Sequence, residues 1–129
     1  MMRRLLLGLV LAVTAVPAMA ADVPQWLIVL NIARPELQDP KNWTKEDNAA
    51  VGAHFVRLQK MTEEGKVLFF GRTQDTTADG KLVPDTLGLI VLEAPDRAAA
   101  EAVLQGDPAV KAGIMRGKVF SYKIALQRK

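Results

Sequence analysis

The chain has 129 residues, a formal net charge of +3, one histidine and no cysteine. This length fits a single domain. The lack of cysteine excludes disulfides, thiol nucleophiles and thiolate metal sites, so we expect a domain that is held together by its hydrophobic core.

The first 20 residues are typical of a cleavable signal peptide. Arg3 and Arg4 form a positive start, residues 5–16 are almost entirely apolar, and Ala18-Met19-Ala20 is a small-residue cleavage pattern. The apolar run is shorter than the roughly 20 residues that a membrane-spanning helix needs. We therefore predict cleavage after Ala20 and a periplasmic or secreted bacterial protein, with no membrane attachment after cleavage; an uncleaved anchor is the competing interpretation.

Cleavage changes the charge of the remaining domain, residues 21–129. The formal charge falls from +3 to +1, because two arginines are removed and no acidic residue is. A nearly neutral domain does not attract polyanions, so we expect no binding to nucleic acid.

The remaining sequence predicts alternating strands and helices. Thr44 caps the first helix, which Gly65 ends, and Pro95-Asp96 opens an Ala-rich helix that runs through Leu104. Asp107-Pro108 begins a further short helical turn. Apolar and alternating runs predict strands at 26–30, 67–70, 87–93 and 119–126. In the last strand, Phe120, Tyr122, Ile124 and Leu126 form the predicted buried face.

The order β-α-β-β-α-β indicates the α+β class, with a ferredoxin-like antiparallel sheet and two helices on one of its faces. The inner strands carry apolar residues at both odd and even positions, which point to opposite faces of the sheet. The second face is therefore predicted to be apolar as well. A second copy of the chain is the simplest cover for that face, so we predict a homodimer.

His54 is the only histidine in the chain, and imidazole is the side chain that proteins most often use to transfer protons at neutral pH. Helical periodicity places it on the side of the first helix that faces the sheet. Two interpretations are open. The imidazole is either packed at the edge of the core, with one nitrogen satisfied by the backbone, or it is a proton carrier in a cleft between helix and sheet.

Asp107 and Arg72 also have two interpretations each. Asp107 is predicted to cap the turn that begins at Pro108, and its second oxygen would be free to orient His54 or to face a substrate. Arg72 ends a strand beside a long polar loop, where it is either a solvated residue or a substrate-binding guanidinium.

Other sites are not indicated by the sequence. It contains no phosphate-binding GxxxxGK loop, no dinucleotide-binding GxGxxG and no HExxH zinc motif. A lone histidine with scattered carboxylates gives few strong ligands. We therefore expect neither a cofactor nor a dedicated metal site.

Two segments resemble a known family. The run 54–60, followed by residues 64–68 and Gly71, is similar to a histidine-leading helix, an EG turn and a strand that ends in glycine. The run 107–113 is similar to a DP-x-V-x-AG signature after the second helix. These are features of the YciI-like (YCII-related) proteins, and the resemblance extends from Gly52 to Lys123.

The resemblance implies a dimeric α+β barrel in which His54 and Asp107 match the active-site pair of the family. One branch of the family eliminates chloride from a chlorinated hydroxyquinol, and related barrels include muconolactone isomerases, so the implied chemistry is proton transfer on small organic rings. The sequence departs from the family pattern at Val51, at Arg72, in an extra loop over residues 33–43, and in its export signal.

The sequence is compatible with two functions. The first is a cofactor-independent lyase or isomerase that acts on a small molecule and uses His54 and Asp107. The second is a non-catalytic periplasmic ligand-binding or accessory domain. If His54 is a cleft residue, we expect His54→Ala to cost little stability.

Overall fold

The structure is a computed structural model that describes residues 22–129. The predicted signal peptide and its cleavage site lie outside these residues. Within the described range, seven principal elements follow one another in the order β1-α1-β2-β3-α2-α3-β4. Their bounds are β1 Gln25–Ile32, α1 Lys45–Glu63, β2 Val67–Arg72, β3 Gly88–Glu93, α2 Arg97–Gln105, α3 Pro108–Lys111 and β4 Met115–Tyr122. None of the helices in this range is long and apolar enough to cross a membrane.

The four strands form one antiparallel sheet in the order β2-β3-β1-β4. Ile28 is central in the sheet and pairs with Ile90 on one side and Val119 on the other. Strands β2 and β3 are consecutive in the chain and neighbours in the sheet. Strand β1 lies between β3 and β4, although neither of them follows it directly in the chain. This is the predicted ferredoxin-like α+β arrangement, and the prediction of fold class is confirmed.

The helices cover one face of the sheet. Leu58 of α1 and Leu104 of α2 are buried with Ile28 and Leu92 of the sheet in the main core cluster. Burial of such side chains supplies the main favourable term in folding, about 1.5–3 kcal/mol for each large aliphatic residue. This explains how the domain holds together without disulfides.

The start of α1 is fixed by a reciprocal cap. The Asp47 N–H donates to Thr44 Oγ1 at 3.1 Å, and the Thr44 N–H donates to Asp47 Oδ2 at 3.1 Å. Arg34 donates to the other Asp47 oxygen at 2.5 Å, which ties the preceding loop to the helix. Thr44 was predicted as the cap, and the positive φ of Gly65 agrees with its predicted role as the stop.

The last strand differs from its prediction in both position and orientation. β4 begins at Met115 and ends at Tyr122, because it pairs residue by residue with β1, whose first residue is Gln25. Pro24 precedes β1 and has no N–H for further pairing. The prediction of a buried face with Phe120 and Tyr122 was wrong, because alternation turns Val119 towards the helices instead.

Two loops meet at one end of the sheet. The insert loop, residues 33–43, contains two 3₁₀ turns, Pro35–Gln38 and Pro40–Asn42. The hairpin loop, residues 73–87, folds back on itself through a bridge between Thr76 and Leu82. The two loops are joined, because the Leu82 N–H donates to the Gln38 carbonyl at 3.1 Å.

The second face of the sheet, which we call the open face, carries apolar side chains as predicted. Strand pairing places on it Leu27, Val29, Phe69, Leu89, Val91 and Phe120. Phe69 and Phe120 keep 46% and 39% of their surface exposed.

Candidate functional site

His54 is buried between helix and sheet, with 7% of its surface exposed. Its Nδ1 lies 2.6 Å from Asp107 Oδ2. The edge of the imidazole also meets Phe70 of β2, with ring centroids 6.4 Å apart and planes at 84°. The partner of the buried nitrogen is thus a carboxylate and not a backbone group, so the interpretation with a backbone partner was wrong.

Asp107 divides its two oxygens between two tasks. Oδ1 accepts hydrogen bonds from the N–H groups of Ala109 at 2.8 Å and Val110 at 3.4 Å, which caps α3. Oδ2 is left for His54. The carboxylate is 2% exposed, and the cap fixes its direction. The predicted cap and the predicted contact with His54 are therefore both present in one side chain.

The charge of Asp107 follows from these contacts. Burial alone raises the pKa of Asp107, but the hydrogen bond and the charge of His54, together with the two backbone N–H groups, lower it below its ordinary value. Asp107 is therefore ionised at neutral pH and can only accept hydrogen bonds. The proton between the two side chains is accordingly assigned to His54 Nδ1, so that Nε2 carries the lone pair whenever the imidazole is in its neutral form.

His54 lines a cleft of about 680 Å³ at the end of the sheet where the two loops meet. The cleft lies between α1, the ends of β1 and β2 and the start of β3. Most of its walls are apolar, including Ile32, Val51, Phe55, Phe70 and Met115. A few polar residues interrupt them, namely Asn31, Gln38, Arg72 and Thr86. An apolar cleft with few polar groups is typical of small-molecule sites.

Arg72 is the last residue of β2 and pairs with Gly88 at the start of β3. It lines the same cleft as His54. Among the described residues it forms no ion pair with a carboxylate. The three residues singled out from the sequence therefore meet at one place, with Asp107 behind His54 and Arg72 on the wall.

The two loops supply the part of the cleft that the sequence did not indicate. Leu37 and Trp43 of the insert loop and Leu82 of the hairpin loop all line it. The Trp43 Nε1–H donates to the Leu37 carbonyl at 2.6 Å, which fixes the indole. Lys81 Nζ lies 3.6 Å from Asp39 Oδ2 and adds a second link between the loops.

Gly88 was also missed. A Cβ at this position would lie 3.2 Å from Leu30 Cβ, so the glycine leaves space where the two strands and the cleft meet. A glycine in a strand is a known sign of such an approach, and this signal was present in the sequence.

Three or more metal-ligating side chains do not come together anywhere in residues 22–129. The charged or proton-carrying groups at the cleft are the imidazole of His54, the carboxylate of Asp107 behind it and the guanidinium of Arg72.

Comparison with known proteins relates the chain to a family. A search of proteins with curated functions found no match. Among solved structures, the chain is similar to the 5-chloro-2-hydroxyhydroquinone dehydrochlorinase (TftG) of Burkholderia phenoliruptrix AC1100, in complex with 2,5-dihydroxybenzoquinone. The TM-score is 0.54 and the identity 20%, over 76% of this chain and 93% of the other. The family model of the YCII-related domain matches residues 25–123, so the chain belongs to the YCII-related domain family.

Proposed function

We propose that this protein is a cofactor-independent lyase or isomerase that acts on a small hydroxylated organic ring. The observation that carries the proposal is the hydrogen bond of 2.6 Å between His54 Nδ1 and Asp107 Oδ2 beside an apolar cleft. In our proposal His54 is the general acid and base, Asp107 orients it, and Arg72 binds an anionic group of the substrate.

The proton chemistry follows from the proposed tautomer of His54. Nε2 takes a proton from a substrate carbon next to a carbonyl group, and the ionised Asp107 stabilises the imidazolium that forms. In an elimination, the electron pair of the broken C–H bond forms a new double bond, and the leaving group departs with its own bonding pair. In an isomerisation, the same proton returns to a different carbon. Neither reaction needs an oxidant or a reductant.

The surroundings of His54 favour this use. Phe55 and Phe70 pack edge to face, with centroids 5.6 Å apart, and form an aromatic wall beside the imidazole. Such a wall suits the face of a planar ring. Arg72 lines the same cleft, which supports its proposed contact with a phenolate or enolate oxygen.

The similar dehydrochlorinase supports the substrate class. Its name describes loss of chloride from a hydroxylated ring, and its bound molecule is a dihydroxybenzoquinone. Both are planar rings with acidic hydroxyl groups, which is the type of molecule that an imidazole and a guanidinium in an apolar cleft would bind. We extend this class, and not the particular compound, to the present chain.

We further propose that the protein works as an exported homodimer. The signal pattern of residues 1–20 supports export to the bacterial periplasm. The apolar open face supports pairing with a second copy, because large apolar patches are rarely left in water.

The proposal is tested by incubating the protein with a panel of hydroxylated rings in D₂O, including 5-chloro-2-hydroxyhydroquinone. NMR reads deuterium incorporation at carbon, and ion chromatography reads the release of chloride. We expect exchange or turnover with at least one ring that binds, and we expect His54→Gln to remove it while the ring still binds. Binding without exchange or turnover across the panel would instead identify a ligand-binding domain.

A further inference from the structure

The insert loop adds a wall to the cleft that proton transfer by His54 does not require. Leu37, Pro40 and Trp43 all come from residues 33–43, and all three line the cavity. Leu37 is 1% exposed and packs with Ala109 and other residues of a second core cluster. The loop is thus anchored in the protein and presents a fixed surface to a ligand.

This wall is mainly apolar, with the side-chain amide of Gln38 as its polar group, and two further polar groups beside it already have partners. The Trp43 Nε1–H donates to the Leu37 carbonyl, and the Gln38 carbonyl accepts from the Leu82 N–H. Leu82 brings an apolar side chain from the hairpin loop to the same cleft. A group that binds between the two loops therefore gains by hydrophobic burial.

The wall lies close to the proposed reacting group. Val51 and His54 are three residues apart on α1, which is about 4.5 Å along the helix axis. Val51 and Trp43 both pack against the cluster centred on Leu37. A ligand that reaches His54 therefore occupies the same cleft that the indole of Trp43 lines.

The size of the cleft leaves room for more than one ring. Its volume of about 680 Å³ lies in the middle of the range for pockets that hold drug-sized ligands, roughly 300–1,000 Å³. A single hydroxylated ring beside His54 would leave the part between the two loops unfilled.

We infer that the insert loop and Leu82 form an apolar subsite that binds a hydrophobic substituent of the ligand, either an alkyl chain or a second ring. This inference rests on the proposed function, because it takes the reacting ring to lie at His54. It names Trp43 and Leu82 as specificity-determining residues for substrates that are larger than a bare hydroxylated ring.

The test uses a series of 4-alkylphenols, from methyl to hexyl, with binding to the mature protein measured by calorimetry. Burial of each methylene should tighten binding roughly threefold to fourfold until the subsite is filled. In Trp43→Ala and in Leu82→Ala, the gain per methylene should shrink, while the affinity for the shortest member should change little. Val56→Ala is the matched control, because Val56 is exposed on α1 outside the cleft.

The gain in affinity per methylene separates this inference from the proposed function. His54→Gln should remove turnover of the hydroxylated rings but keep the gain in affinity along the alkylphenol series. Retained turnover in this variant would overturn the proposed function alone. Equal affinity across the series in the unaltered protein, or the same gain in folded Trp43→Ala and Leu82→Ala, would overturn the subsite. If Trp43→Ala does not fold, Leu82→Ala on the opposite loop decides the question.

Discussion

His54 Nδ1 and Asp107 Oδ2 lie 2.6 Å apart although 53 positions separate the two residues in the chain. The bond joins the middle of α1 to the cap of α3, so the proposed reacting group and a helix start share one carboxylate. Replacing either residue therefore affects both stability and proton transfer. Variants that keep the cap, the volume or the hydrogen bond can separate these two effects.

His54→Ala is expected to abolish turnover and also to lower the free energy of unfolding by about 2–4 kcal/mol, which urea denaturation would measure. The substitution leaves a cavity against Phe70 and an unpaired oxygen on Asp107. This loss is larger than the small one expected for a residue that only lines a cleft, because the side chain is almost fully buried. His54→Gln keeps a hydrogen-bond donor and most of the side-chain volume. It should therefore lose less stability than His54→Ala, but it should abolish turnover equally.

Asp107→Asn is expected to lower turnover by roughly 10²-fold or more, because it removes the charge that stabilises the imidazolium. Asparagine caps a helix about as well as aspartate, so α3 should persist. Asp107→Ala is the comparison, since it loses the cap as well and should cost about 1 kcal/mol more. Steady-state kinetics and melting temperatures of both variants separate charge from cap; full activity in Asp107→Asn would reduce Asp107 to a cap.

Much of the fold could be predicted because its signals are local. Thr44 and Gly65 bound α1 through a side-chain cap and a positive φ, which depend on only a few neighbouring residues. The buried side of β4 depends instead on which residues pair across the sheet. Phe120 and Val119 are both apolar, so only the register with Ile28 decides which of them faces the helices.

The candidate site was likewise predictable only where its signals are local in the sequence. His54 could be predicted as a site residue because it is the only histidine and lies on the sheet-facing side of a predicted helix. Asp107 could be predicted because it directly precedes Pro108 at a predicted helix start. The role of the insert loop could not be found, because the contact between Gln38 and Leu82 joins two irregular segments 44 positions apart. Loops of this kind follow tertiary packing and carry no periodic signal.

Acid should destabilise the protein through its buried carboxylate. Because the pKa of Asp107 is lower in the folded protein than its ordinary value of 3.8, ionised Asp107 stabilises the fold above about pH 3.8. This contribution is lost as the pH falls below that value towards the folded pKa. Melting temperatures between about pH 6 and pH 2.5 should fall more steeply for the unaltered protein than for Asp107→Asn; equal slopes would contradict this assignment.

Asp47 should add to the acid sensitivity at the start of α1. The hydrogen bond from the Thr44 backbone, with the nearby Arg34, holds the pKa of Asp47 below its usual value. In Asp47→Asn the melting curve should therefore also depend less on acid. The double variant with Asp107→Asn should show a flatter dependence than either single variant, because the two carboxylates share no partner.

Export should remove the first 20 residues. The small side chains at Ala18 and Ala20 fit the pattern that signal peptidases cleave. Mass spectrometry of the protein expressed in a bacterium should show Ala21 as the first residue, in the periplasmic fraction. Ala20→Phe is expected to block processing, whereas an intact Met1 in the unaltered protein would contradict the predicted cleavage.

The open face should join two copies of the chain in solution. Phe69 and Phe120 project from this face and remain partly exposed, while the helices cover the opposite side of the sheet. Light scattering of the mature protein should report about twice the monomer mass, since an apolar face of this kind is usually covered.

Phe69→Lys and Phe120→Lys together should give a monomer, because two charges per copy would have to be buried without partners. Val56→Lys places a charge on an exposed apolar residue of α1, and it should leave the dimer intact. An unaltered chain that stays monomeric at micromolar concentration would contradict this pairing. Dissociation caused by Val56→Lys alone would place the interface on the helical side instead.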